Sequence, residues 1–232
     1  MGDLHNPPGT IPSMTSPSAP STRTVDRALN LLAIVTEHPP LSLADAARQT
    51  DLATSTALRL LRSLETAGLV MRDDDGRFRP GSRLLQLGAR AFSREPLIAL
   101  AQVPMEQVVE RTGESVYLSI PGPAGTAMYI KIVEGTHSVR HTNWVGRSVP
   151  LEGTAVGQVL RGEIPARQFA LIQDTVESDV TALSAPVTVH GTVVGALSTL
   201  VPTYRCTDEL AERCGQALVE ATQSLAGALS GE

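Results

Sequence analysis

The 232-residue chain lacks long apolar runs. Nothing in it approaches the roughly 18 consecutive apolar residues of a membrane span, so no membrane partner is expected. Only two cysteines occur, Cys206 and Cys214, too few for a disulfide scaffold and without a Cys-x-x-Cys pair. Aromatic residues number seven, with a single Trp, and lysine occurs once, at Lys131. The first 20 residues hold five prolines (Pro7, Pro8, Pro12, Pro17 and Pro20) among Ser and Thr, with neither a basic cluster nor an apolar core. That composition excludes a secretory signal and reads as a disordered leader over residues 1–21. A cytoplasmic protein is expected.

An apolar fraction of 42% and a charged fraction of 19% are those of a soluble globular protein, long enough for one large domain or two small ones. The net charge of −5 argues by itself against a nucleic-acid partner. Its distribution argues the other way. Residues 21–90 carry ten arginines against eight acids, whereas residues 91–232 carry nine basic and fifteen acidic residues. Such asymmetry hints at a polyanion-binding end joined to something else, and needs a fold to support it.

Val25, Ala28, Leu29, Leu32 and Val35 recur at helical spacing, which predicts a helix over 23–37 that ends before Pro39-Pro40. Ser42 with Asp45 three residues on is a capping box, opening a second helix that buries Leu43, Ala46 and Ala47. The pattern breaks near residues 49–52 and resumes as a third helix with Ala57, Leu60, Leu61 and Leu64 inward, ended by Gly68 in a left-handed cap. Short strands over 69–72 and 77–79 flank Asp73-Asp74-Asp75-Gly76, and Asp-Gly at a tip is a hairpin signal. Three helices and a hairpin in this order make a winged helix-turn-helix over 22–82. Leu84, Leu85 and Leu87 begin a linker helix over 83–112, broken near Pro96.

From residue 113 the texture changes. Strands are predicted over 115–120 and 127–133, a short helix over 153–161, and a hairpin of 185–189 with 192–200 turning at His190-Gly191. Thr207 caps a last helix with Asp208 and Glu209 in its first turn, where the helix dipole favours acids. The fold class is α+β, with a second domain over 113–232.

With its leucines turned inward, the third helix presents Ser55, Leu58, Arg59 and Arg62 outward, with Thr54 and Thr56 at its start. A recognition helix offers such N-terminal residues to base edges in the major groove. Short hydroxyls permit close approach, arginine grips guanine or phosphate, and Leu58 is placed to touch a thymine methyl. Arg77 and Arg79 on the wing fall over the flanking backbone or minor groove. Alone, an Arg/Ser face is more often plain solvated surface. Helix order, turn and wing together favour double-stranded DNA.

Several stretches together resemble the IclR-type bacterial transcriptional regulators: "TVDRALNLLAIV", "TSTALRLLRSLETAGLV", "GRFRPGSRLLQLGARA", "ERTGESVYLSI", "VGRSVPLEGTAVGQVL", "VTALSAPV" and "VVGALSTLVPTYR". The resemblance spans residues 22–228. It implies a winged helix-turn-helix, a helical linker and a C-terminal GAF-like domain that binds a small-molecule effector, in homodimers or homotetramers. It also implies DNA contacts from Arg27, Thr54, Ser55, Thr56, Arg59 and Arg62. Effector contacts implied are Gly153, Thr154, Ala155, Val156, Gln173, Asp174, Ala182, Ser198 and Leu200. The chain departs from the family in two ways. Only residues 161–179 stand where relatives place several tens, so the domain is shortened and its pocket is expected to be smaller or more open. Ala182 and Leu200 are apolar where some relatives place polar contacts. The reading is a sequence-specific regulator controlled by a metabolite, an organic acid or aromatic compound by family analogy. A dimeric ligand-binding or scaffold module with a vestigial DNA-binding role stays open as the alternative.

Other constellations favour plain roles. His137 and His141 are four apart, but "THSVRHTNW" sits where a strand is expected, and four strand residues separate side chains by roughly 13 Å, too far for one ion. Cys206 and Cys214 read as helix-face cysteines. Ser198 and Thr199 with Lys131 match no local catalytic motif, so no enzyme, no cofactor and no metal is expected. Tyr129 and Trp144 are core fillers first and pocket walls second. The Asp73-Asp74-Asp75 run lacks the alternation and terminal Glu of a calcium loop and reads as a solvated tip.

Overall fold

A computed structural model describes residues 22–139, 143–174 and 176–231. The expected leader and His141 lie outside these residues. The chain divides into two units between Arg90 and Ala91.

In the first unit α1 (Arg23–Glu37), α2 (Leu43–Gln49) and α3 (Thr54–Thr66) enclose a core with a hairpin of β1 (Val70–Arg72) and β2 (Phe78–Pro80). Ser42 caps α2 as expected, its hydroxyl accepting from the Asp45 amide at 3.1 Å. Ala57, Leu60, Leu61 and Leu64 are the buried residues of α3, as their spacing requires. The helix ends in a Schellman arrangement. Gly68 takes φ 73°, its amide bonds to the Glu65 carbonyl, and the Leu69 amide reaches the Leu64 carbonyl. Helix α1 has its expected ends, but Leu31 and Val35 form its buried stripe, and Val25 and Leu29 are exposed. Apolar residues surround this helix on more than one side, so spacing alone does not identify the side facing the core.

The second unit is a six-stranded antiparallel sheet in the order β5-β4-β3-β8-β7-β6. Its strands are β3 (Val116–Pro121), β4 (Thr126–Val133), β5 (Ser148–Pro150), β6 (Ala170–Gln173), β7 (Val180–Val189) and β8 (Thr192–Pro202). Odd residues of β7 and β8, among them Leu183, Ala185, Leu197 and Val201, pack under α8 (Asp208–Ser230), and α6 (Gln102–Thr112) lies beside α8 over β3 and β4 in the same core. Even residues, among them Ala182, Ala196 and Leu200, face α7 (Ala155–Leu160) on the other side. The two cores follow from the two-residue period of a strand. A bulge at the Leu118/Ser119 step switches that parity in β4, so Tyr129 and Ile132 share the α7 face.

Four expectations change. The linker helix of 83–112 is three helices, α4 (Ser82–Phe92), α5 (Pro96–Leu100) and α6, and α6 belongs to the second unit's core through Met105 and Val108. Pro96 stands at the first position of α5, where its missing N–H costs nothing. The two edge strands β5 and β6 were not expected, being only three and four residues long. His137 lies in a loop rather than a strand. Cys206 precedes α8 rather than sitting on its face.

Candidate nucleic-acid interface and effector cavity

Ser55, Arg59 and Arg62 fall at i, i+4 and i+7 of α3 and share one exposed face. Neither arginine forms an ion pair among the described residues, so both guanidiniums are available to a ligand. Ala53 precedes the helix and caps nothing through its side chain. The hydroxyls of Thr54 and Ser55 are exposed, and that of Thr56 is half-buried. Leu58 is half-buried rather than exposed, because it borders the core stripe between Ala57 and Leu61. Arg27 stands apart on α1 and is half-buried. On the wing Arg77 and Arg79 are both exposed, but Arg79 is held by Asp73 at 3.2 Å. The backbone amide of Arg77, followed by the Arg79 side chain, keeps the Asp73 carboxyl below the usual carboxylate range.

In the second unit six of the expected effector residues line one cavity: Thr154, Ala155, Val156, Ala182, Ser198 and Leu200. Its volume is about 30 Å³, room for a water rather than a metabolite. Thr154 is buried as the N-cap of α7, accepting from the Gly157 amide at 3.1 Å and donating to the Pro150 carbonyl at 2.9 Å. Register places Ser184 opposite Ser198, and their buried hydroxyls bond at 2.9 Å. Tyr129 and Trp144 are both core and wall. Their rings lie 5.8 Å apart, Tyr117 meets Tyr129 edge-on at 5.2 Å, and burial pushes the Tyr129 phenol up to about 12. Among the described residues Glu177 is the one charged residue that lines the cavity, and Lys131 does not line it.

Gly153 and Asp174 line an adjoining open groove of about 580 Å³ that shares Thr154 and Val176 with the cavity. Asp174 takes φ 54° and its carboxylate accepts the Asp179 amide at 2.8 Å, which closes the loop beside the cavity mouth. Gln173 is exposed on β6 and lines neither space. Ser184 was missed by spacing, although it stands two residues from Ala182 and therefore on the same face. Away from the cavity, buried Glu114 receives both Nε and Nη2 of Arg205 at 2.9 Å, with His137 Nε2 at 3.4 Å. That cluster fastens the loop after β4. No group of three His, Cys, Asp or Glu suited to a metal occurs among the described residues.

Residues 24–74 match the IclR helix-turn-helix domain, and residues 89–175 match the C-terminal domain of the bacterial transcriptional regulator IclR. The chain belongs to the IclR family. It is 28% identical over 154 residues to the HTH-type transcriptional regulator KipR of Bacillus subtilis, covering 66% of this chain and 61% of that protein. The match to the glycerol operon regulatory protein of Streptomyces coelicolor is 34% over 126 residues, 54% of this chain and 49% of that one. The chain thus spans about half to three-fifths of the length of these curated relatives. Among solved structures, an IclR transcriptional regulator from Alicyclobacillus acidocaldarius superposes with TM-score 0.76 at 24% identity, covering 91% of this chain and 100% of that one. That likeness establishes the two-part α+β fold of this IclR-family chain. No helix among the described residues is long and apolar enough to cross a membrane.

Proposed function

We propose that the chain is a sequence-specific DNA-binding transcriptional regulator, not an enzyme, that works in the cytoplasm as a homodimer or homotetramer. The observation that carries this is the exposed Ser55, Arg59 and Arg62 face of α3, with neither guanidinium in an ion pair among the described residues, set in a winged helix-turn-helix. In this reading α3 enters the major groove, Arg59 reads a guanine edge, Thr54, Ser55 and Thr56 approach bases or phosphates, and Arg77 grips the flanking backbone. Half-buried Arg27 and Leu58 take minor parts. An oligomer is supported by α4, which buries no residue in the single chain and leaves Leu85, Leu87 and Phe92 exposed.

The C-terminal unit is read as the effector sensor. A structural neighbour from Microbacterium hydrocarbonoxydans, an IclR homologue of TM-score 0.74 and 20% identity covering 90% of this chain and 100% of that one, was solved with 4-hydroxybenzoate. By that analogy a small organic or aromatic acid enters between α7 and the β7–β8 hairpin. Such a molecule does not fit about 30 Å³, so binding requires the segment around Val176 and Glu177 to open towards the groove bearing Gly153 and Asp174. Gln173 neighbours that segment. The mutual pairing of Ser184 with Ser198 favours sensing over catalysis.

The test is fluorescence anisotropy on the gene's own upstream region against a scrambled duplex, with light scattering for the assembly state. Wild type should prefer its own region, and Arg59→Ala should lose about 1–3 kcal/mol there while relaxing base preference. Equal binding by wild type and Arg59→Ala would point to a module whose DNA role is vestigial.

A further inference from the structure

The wing carries three arginines, and the fold treats them differently. Arg72 lies 3.6 Å from Glu65, with its guanidinium 4.6 Å from the centre of the Phe78 ring. Arg79 Nη2 lies 3.2 Å from Asp73 Oδ2. Arg77 is exposed and forms no ion pair among the described residues. One carboxylate organises this division. Asp73 Oδ1 accepts the backbone amides of Asp75 at 3.1 Å and Arg77 at 2.9 Å, while its other oxygen holds Arg79. Although it sits at a hairpin tip, the Asp73 side chain is only 12% exposed. A carboxylate that accepts two amides is fixed in place and cannot swing aside when a phosphate approaches.

Sequence-independent affinity for DNA comes from phosphates neutralised by free cations, each adding about 0.9 to the salt slope on duplex DNA. A cation already paired with a fixed carboxylate releases less counterion, because the phosphate must displace the carboxylate first. We propose, resting on the DNA-binding reading above, that Asp73 is a positioning residue that withholds Arg79 from DNA phosphate. It leaves Arg77 as the wing's one backbone-gripping cation and caps affinity for DNA of any sequence. The Asp73-Asp74-Asp75 tip is then no bland solvated turn. Its first member sets how much of the regulator's binding is spent on non-target DNA.

Asp73→Asn separates the two jobs, because the amide oxygen can still accept from Asp75 and Arg77 while the charge that holds Arg79 is gone. Anisotropy on the own upstream duplex and on the scrambled duplex, from 50 to 200 mM salt, should show Asp73→Asn binding both more tightly. Its slope of log affinity against log salt should be steeper by about 0.9, which makes its advantage over wild type about 3.5-fold larger at 50 than at 200 mM. Asp73→Asn/Arg79→Ala should return to the wild-type slope. Independently of how the Asp73 variant folds, Arg77→Ala should flatten the slope by about 0.9, whereas Arg79→Ala should not. An unchanged slope in folded Asp73→Asn, a steep slope retained by the double variant, or an Arg79→Ala slope as flat as that of Arg77→Ala would overturn the assignment. Failure of the DNA-binding reading itself looks different: wild type would then fail to prefer its own duplex, and Arg59→Ala would change nothing.

Discussion

At the scale of single residues the second unit holds two thiols and two phenols in their neutral forms. Burial pushes the Cys214 thiol from 9.0 up to about 12 and the Tyr129 phenol from 10.0 up to about 12. Burial also raises Cys206 and Tyr117. These thiols are therefore poor nucleophiles, which agrees with the plain roles their spacing implied. The same shifts predict a pH dependence. Each group is protonated in both folded and unfolded chains below its unfolded value, so stability is flat there. Above that value the unfolded chain ionises first, and stability is lost until the folded chain ionises too. Unfolding free energy should therefore fall from about pH 9 towards pH 12. For each group held neutral only in the folded chain the decline is about 1.4 kcal/mol per pH unit. In a Cys206→Ala/Cys214→Ala variant the fall should begin near pH 10, where unfolded tyrosine starts to ionise. Urea unfolding at stepped pH measures both onsets, and a decline that still starts at pH 9 without the cysteines would disprove their part in it.

Elements were legible from sequence wherever one residue type had one job. The Ser42 cap, the leucine stripe of α3, Gly68 after it and Thr207 before α8 each serve a local need, and each stands where spacing put it. What depends on distant partners was not legible. Ser148-Val149-Pro150 becomes strand only because β4 lies beside it, and no period can appear in three residues. The stretch around His137 has β-forming composition but is drawn into a loop, where His137 meets the buried Glu114–Arg205 pair. Likewise, the cavity gathered Thr154, Ala155 and Val156 from one helix start, which a motif can carry. Its Ser184–Ser198 pair comes from strand register, which a motif cannot. Helix α7 shows how such placement is enforced. A Cβ added at Gly157 would stand 1.7 Å from the Leu151 carbonyl oxygen, so only glycine lets the helix lie this close to the preceding segment. Gly157→Ala should displace α7 and destabilise the unit by about 1–3 kcal/mol or more. Because Trp144 is the sole tryptophan and lines the same cavity, its emission should shift in that variant. A Gly157→Ala protein with unaltered melting temperature and emission would show that α7 is not held in this way.

At the scale of the whole chain, regulation requires the effector to distinguish two states of the protein. An effector that bound both equally would shift nothing. In the proposed reading the small cavity supplies one such state, because a molecule the size of 4-hydroxybenzoate would need the wall around Val176 to move. If DNA affinity differs between closed and open forms, the coupling is reciprocal: whatever factor the effector imposes on DNA binding, DNA imposes on effector binding. Trp144 should make the reciprocity measurable without a label, because it is the single tryptophan and lines the cavity. With 4-hydroxybenzoate as the first probe, two ratios should agree. One is the probe's dissociation constant with and without saturating upstream duplex, from Trp144 emission. The other is the duplex's dissociation constant with and without saturating probe, from anisotropy. A common factor of about 5 to 150 is the usual range for allosteric coupling. Binding of the probe with both ratios at unity would leave the C-terminal unit a ligand site uncoupled from DNA. Ratios that differ from each other would mean that the probe acts at some place other than the cavity beside Trp144.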